Sequence, residues 1–136
     1  MQDMKFVAIL NKRRDLSELT SALGHVVAGV TNTVENEAGS FVTYIDADGE
    51  EYPHISEWSL IVLRASPGQL KATRTKLEAL GLPAVCYLNT MCSGGSSAQQ
   101  LTTKKTHSDE IEILAIATFG TSEKVDSICK KFSLWR

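Results

Sequence analysis

The sequence predicts a single α/β domain over residues 1–136, three layers thick, with helices on both faces of a mixed, mostly parallel sheet of four to five strands. Two observations carry this. Short runs that are apolar on both faces recur at residues 4–10, 60–63, 84–88 and 111–117, as expected of strands covered from two sides. Between them stand amphipathic segments whose apolar residues recur at helical spacing. Right-handed crossovers then make the strands around each helix parallel.

The elements follow in order. After residues 4–10, Asp15 and Glu18 form a capping-box pattern. Leu16, Leu19, Leu23, Val26, Val27 and Val30 follow it as one apolar stripe. Residues 41–45 read as a strand, Asp46-Ala47-Asp48-Gly49 as a turn, and Glu51-Tyr52 as a short return that Pro53 ends; this hairpin makes the sheet mixed. Ser66-Pro67 opens a second helix with Leu70, Leu77 and Leu80 on one face, closed by Gly81-Leu82-Pro83. A short helix from Ser97, with Gln100 as its capping partner, interrupts the polar stretch 89–110. Thr121 caps a last helix with Val125, Ile128, Cys129 and Phe132 on one face, and residues 132–135 alternate like an edge strand.

Composition narrows the class of function. The chain has 43% hydrophobic and 22% charged residues and a formal net charge of −2, so no global field draws it to nucleic acid or an anionic membrane. Nucleic acid is left to local clusters such as Lys12-Arg13-Arg14, whose ordinary reading is a solvated turn. No apolar run is long enough to span a bilayer, and Met1-Gln2-Asp3-Met4 does not begin a signal peptide. Cys86, Cys92 and Cys129 are odd in number and form no CxxC pair. A reducing cytoplasm is expected, with neither metal nor cofactor.

Ligands of open α/β sheets collect beyond the carboxyl ends of strands. Two polar segments follow such ends: Asn11-Lys12-Arg13-Arg14, and the loop running from Asn89 through Cys92, Ser93, Gly94, Gly95 and Ser96 to Ser97. The Gly-Gly-Ser-Ser tetrad before a helix can cradle a phosphate or carboxylate, or simply fill a loop. His25 lies nearly opposite the apolar stripe among Ser21, Gly24, Ala28 and Gly29, small enough for another element to approach. It is either a crevice residue or a structural histidine. His54, near Glu57, reads as a ligand or base, or as an ordinary turn residue, and His107 says little.

Three stretches stand out together: Phe41-Val42-Thr43-Tyr44, Tyr52-Pro53-His54-Ile55-Ser56-Glu57-Trp58 and the ending from Phe119-Gly120 to Leu134-Trp135-Arg136. With them the chain resembles, over nearly its whole length, a bacterial family, domain of unknown function 2000. The resemblance implies the fold of type II peptidyl-tRNA hydrolases. Leu19-Thr20-Ser21-Ala22-Leu23-Gly24-His25 is similar to the hydrolase helix that ends in Gln-x-x-His-Ala, with His25 matching its histidine. Where the hydrolases carry Asp-Ala-Gly-Arg-Thr, this chain has Asn89-Thr90-Met91-Cys92-Ser93. An amide cannot exchange a proton as a carboxylate does.

The expected function is therefore a diverged hydrolase-like domain that binds a small or nucleotide-like anion. Arg13, Arg14, Ser93, Gly94, Gly95 and Ser96 hold the anion, His25 donates or acts as base, and Asn89 orients the ligand. Cys92 with His25 is the one titratable pair that could support turnover. A non-catalytic oligomeric or regulatory module is the alternative, and peptidyl-tRNA hydrolysis the third reading. The small-residue face of the first helix is covered either by residues 53–58 of the same chain or by a second subunit, and a homodimer is expected, with Trp58 and Trp135 as anchors.

Overall fold

The computed structural model describes residues 3–34, 36 and 40–135; Met1, Gln2 and Arg136, which entered the reading above, lie outside them. Strands β1 (Met4–Asn11), β4 (Ser59–Ala65), β5 (Val85–Leu88), β6 (Ile113–Thr121) and β7 (Ser133–Leu134) form one sheet in the order β5-β6-β1-β4-β7. Strands β2 (Phe41–Ile45) and β3 (Glu51–Ser56) form a separate two-stranded sheet.

Residues on β1 alternate between two cores. Phe6, Ala8 and Leu10 face helix α1 (Leu16–Thr33). Val7 and Ile9 face helices α2 (Pro67–Ala79) and α4 (Ser122–Cys129). Both faces are covered, so a period of two never shows as polar alternation and the strand reads as one apolar run. Full burial of each Leu, Ile or Phe contributes about 1.5–3 kcal/mol relative to exposure. The three layers are as expected.

The sheet is mixed, but not mostly parallel. Among the described residues only β1 and β4 pair in parallel; β1–β6, β5–β6 and β4–β7 are antiparallel. The crossover rule holds for β1-α1-β4. It does not require the strand after α2 to lie beside β4, and β6 enters between β5 and β1 with opposite direction. The hairpin is not what mixes the sheet, because it lies outside it. Nor does Pro53 end the return: β3 continues to Ser56, with an irregular register between Val42 and Tyr44.

Local signals fared unevenly. At α2, Ser66 accepts from the Gln69 N–H while the Gln69 side chain accepts from the Ser66 N–H, and Pro67 occupies the first turn. Gly81 takes the left-handed conformation, φ +70°, that closes the helix. At α1, Asp15 occupies the cap position without a side-chain cap bond, and the Glu18 side chain, which would complete the box, turns toward Arg14 instead. The buried face of α1 is Leu19, Ala22, Val26 and Val30, with Leu23 and Val27 half-buried and Leu16 exposed. Leu80, beyond the end of α2, is also exposed.

Candidate functional site

Helix α3 (Ser96–Lys104) starts one residue before the predicted Ser97, with Gly95 in the cap position. Gly94 has φ +80°, and this turn directs α3 back along the edge of β5 toward α1. Between them lies a cleft of about 320 Å³ lined by His25, Tyr87, Met91, Ser96 and Gln99 over Val26, Val85 and Cys86. His25 stacks on Tyr87, with ring centroids 5.4 Å apart and planes inclined by 25°. The Tyr87 hydroxyl donates to the Met91 carbonyl at 2.8 Å, tying strand β5 to the 3-10 turn Asn89–Met91. Burial, and secondarily Cys92, pushes the Tyr87 phenol upward, with a hydrogen bond to Ser21 opposing them. It is a neutral donor at physiological pH.

Close packing of α1 on β5 sets the width of the cleft. A Cβ at Gly29 would stand 2.8 Å from Val85 Cγ1, so only glycine lets the helix approach this strand as it does. The cover over the His25 face thus comes from β5 and α3, and not from residues 53–58.

Asn89 and Arg14 belong to a different assembly. The Asn89 N–H donates to the Glu112 carbonyl at 2.9 Å, and its Oδ1 accepts from the Glu112 N–H at 3.0 Å. Its Nδ2 donates to the Glu110 carbonyl at 3.1 Å. Arg14 donates to Glu112 through Nε at 2.6 Å and through Nη2, and to Glu18 through Nη1 at 3.2 Å. The hydrogen bond to Glu112 raises the guanidinium pKa further. Asn11, fully buried, donates to the Ile113 carbonyl at 3.1 Å and accepts from the Arg13 N–H at 3.0 Å. This polar cluster pins the ends of β1 and β6 and the turn after β5 to one another.

The predicted residues are therefore divided. His25 and Ser96 share the cleft. Arg14 and Asn89 share Glu112, and Arg14 lies eleven residues before His25, about 16 Å along the helix direction. Arg13, Cys92, Ser93, Gly94 and Gly95 are exposed around these groups. Cys92 lies outside the cleft lining, and its Sγ approaches only the Leu88 carbonyl, at 3.9 Å. Cys86 and Cys129 are free thiols that burial pushes up to about 11.

Sequence reasoning missed Tyr87, Gln99 and Glu112, and marked Asn11 only as the start of the polar segment after β1. A carboxylate at the head of the apolar run that becomes β6 was a usable signal, since such a charge needs a partner. Tyr87 carried none, because an aromatic residue in a core strand reads as packing.

The family model described as "Protein of unknown function (DUF2000)" matches residues 4–136. The chain belongs to that family. This DUF2000 chain is also similar to a solved structure of a protein of unknown function from Agrobacterium tumefaciens strain C58. The two share 17% identity at a TM-score of 0.85, with all of each chain covered, which establishes the fold they have in common. No curated protein matches this DUF2000 chain. Among the described residues no helix is long and apolar enough to cross a membrane, and no cluster of His, Cys, Asp and Glu could hold a metal.

Proposed function

We propose that this DUF2000 domain is a diverged peptidyl-tRNA hydrolase-like module that binds a small anionic ligand, nucleotide-like in size, in the cleft between α1, β5 and α3. The observation that supports it most is His25 stacked on Tyr87 beside the start of α3. There His25, Ser96 and Gln99 line one hollow at the start of α3, where the Gln99 amide nitrogen donates to the Gly94 carbonyl at 2.8 Å. His25 serves as donor to the anion, and the His25–Tyr87 pair is a platform on which a planar base can stack.

The second reading, binding or regulation without turnover, is favoured by what lines the cleft. His25 is the one histidine among its lining residues, and no carboxylate accompanies it there. Asn89, at the position where the hydrolases carry aspartate, spends its amide on the backbone of Glu110 and Glu112. Pairing of two copies in a reducing cytoplasm, with three unpaired thiols, belongs to the same proposal.

Titration of the protein with inorganic phosphate and with a nucleoside monophosphate, followed through the His25 imidazole and Tyr87 ring resonances, tests it. Saturable shifts at both rings are expected in the wild type, with the Tyr87 shift lost in His25→Ala. Shifts absent at these rings, or a Tyr87 shift unchanged by His25→Ala, overturn the site.

A further inference from the structure

The hairpin of β2 and β3 pairs only with itself: neither strand joins the five-stranded sheet. An isolated two-stranded hairpin is marginal in water unless something covers it. Its cross-strand pairs Val42–Ile55 and Tyr44–Tyr52 place four large side chains on one face. Tyr44, Tyr52 and Ile55 are each more than half exposed, at 58%, 54% and 57%. These tyrosines take the anchoring part expected of Trp58 and Trp135, which instead pack half-buried against the α1 core.

Charge selects what can cover this face. Residues 41–58 carry five carboxylates, Asp46, Asp48, Glu50, Glu51 and Glu57, and no lysine or arginine. Two hairpins set face to face would oppose like charges, which is destabilising. The body of the chain is correspondingly cationic. Between α2 and α3 it holds an open groove of about 550 Å³, with Cys86, Leu88, Ile111 and Ile113 on its floor and Lys71 and Arg74 at its rim. Arg74 is held only by an exposed pair to Glu78, and Lys71 reaches the Ser108 carbonyl at 3.4 Å; such surface contacts exchange readily. Asp109 and Glu110 lie across Lys71 in a separate, smaller hollow.

The hairpin cannot serve its own groove. Its root is the start of β4, whereas Leu88 and Ile113 stand at the end of β5 and the start of β6. Because β4 and β5 run in the same direction as β1, these are opposite ends of the sheet.

We propose that each hairpin seats its Val42, Tyr44, Tyr52 and Ile55 face in the Lys71–Arg74 groove of a second copy, in a reciprocal exchange closed by a two-fold axis. This rests on the pairing proposed above and specifies its mode. Reciprocity makes the contact twice, toward the about 800 Å² per partner that stable complexes bury.

The mass of the full chain in solution at micromolar concentration, by light scattering, tests the exchange on three samples. The wild type is expected to be a dimer. A hairpin variant, Tyr44→Ser with Tyr52→Ser, and a groove variant, Lys71→Glu with Arg74→Glu, are each expected to dissociate about thirtyfold or more readily. Neither changes a core side chain, and circular dichroism checks that both fold. Mixing the two variants restores one intact arm-in-groove contact, so a heterodimer is expected where neither variant self-associates. A monomeric wild type overturns the pairing itself. A dimer that survives the groove variant overturns the exchange and leaves pairing through another face.

Discussion

Asn89 and Glu112 hold each other through a closed ring of two hydrogen bonds, backbone N–H to carbonyl in one direction and backbone N–H to side-chain Oδ1 in the other. The same asparagine caps the Glu110 carbonyl, while the Glu112 carboxylate receives Arg14 from the opposite side of β6. One amide thus fastens the turn after β5 to the start of the interior strand β6.

Asn89→Ala leaves the Glu112 N–H and the Glu110 carbonyl without these partners, and a stability loss of about 1–3 kcal/mol is expected in urea unfolding. Asn89→Asp restores the hydrolase residue type but cannot donate to Glu110. It is expected to lose stability as well, and neither it nor the wild type to cleave peptidyl-tRNA efficiently. Wild-type turnover at the rate of an authentic type II hydrolase would refute this.

Val26 is fully buried at the centre of the α1 face, whereas His25, its neighbour in sequence, is exposed. Val26→Asp is expected to abolish folding, since an unpaired buried carboxylate costs several kcal/mol of the about 5–15 available. Leu23→Asp, at a half-buried position, loses less, and His25→Ala melts within a few degrees of the wild type. Thermal melts of the three rank them.

Gly29→Leu is expected to destabilise by about 1–3 kcal/mol, because its Cβ meets Val85 on an edge strand fixed by β6. Val85→Ala removes the obstructing methyls and should recover part of that loss. A double-mutant cycle showing simple additivity would place the strain elsewhere.

The thiols differ in access. Cys92 is exposed, whereas burial pushes Cys86 and Cys129 to about 11. A thiol-labelling reagent at neutral pH is expected to modify Cys92 first. Cys86, half-buried in the groove floor, should follow more slowly, and Cys129, fully buried, only on unfolding or as pH rises toward 11 and its thiolate forms. Equal rates for Cys92 and Cys129 at neutral pH would contradict the burial of Cys129.

The alternating order of strands and helices was legible in the residues themselves. It rests on local physics: doubly covered strands of unbroken apolar character, the Ser66-Pro67 start and Gly81 end of α2, and the Thr121 cap of α4, whose hydroxyl accepts from the Lys124 N–H. Each of these is decided within a few residues, by backbone conformation and by which face meets water. Which strands pair, and in what direction, is decided at long range. β6 takes its place between β1 and β5 because its buried run, unbroken from Ile113 to Gly120, needs a neighbour on both edges and helices on both faces. No local signal reports that need. The same holds at the candidate site: polarity marked His25, Asn89 and Arg14, but only the tertiary structure gave Arg14 and Asn89 to Glu112 and left His25 with Tyr87. A polar side chain goes to whichever partner the packed backbone brings within about 3 Å, and that distance is set by the whole fold.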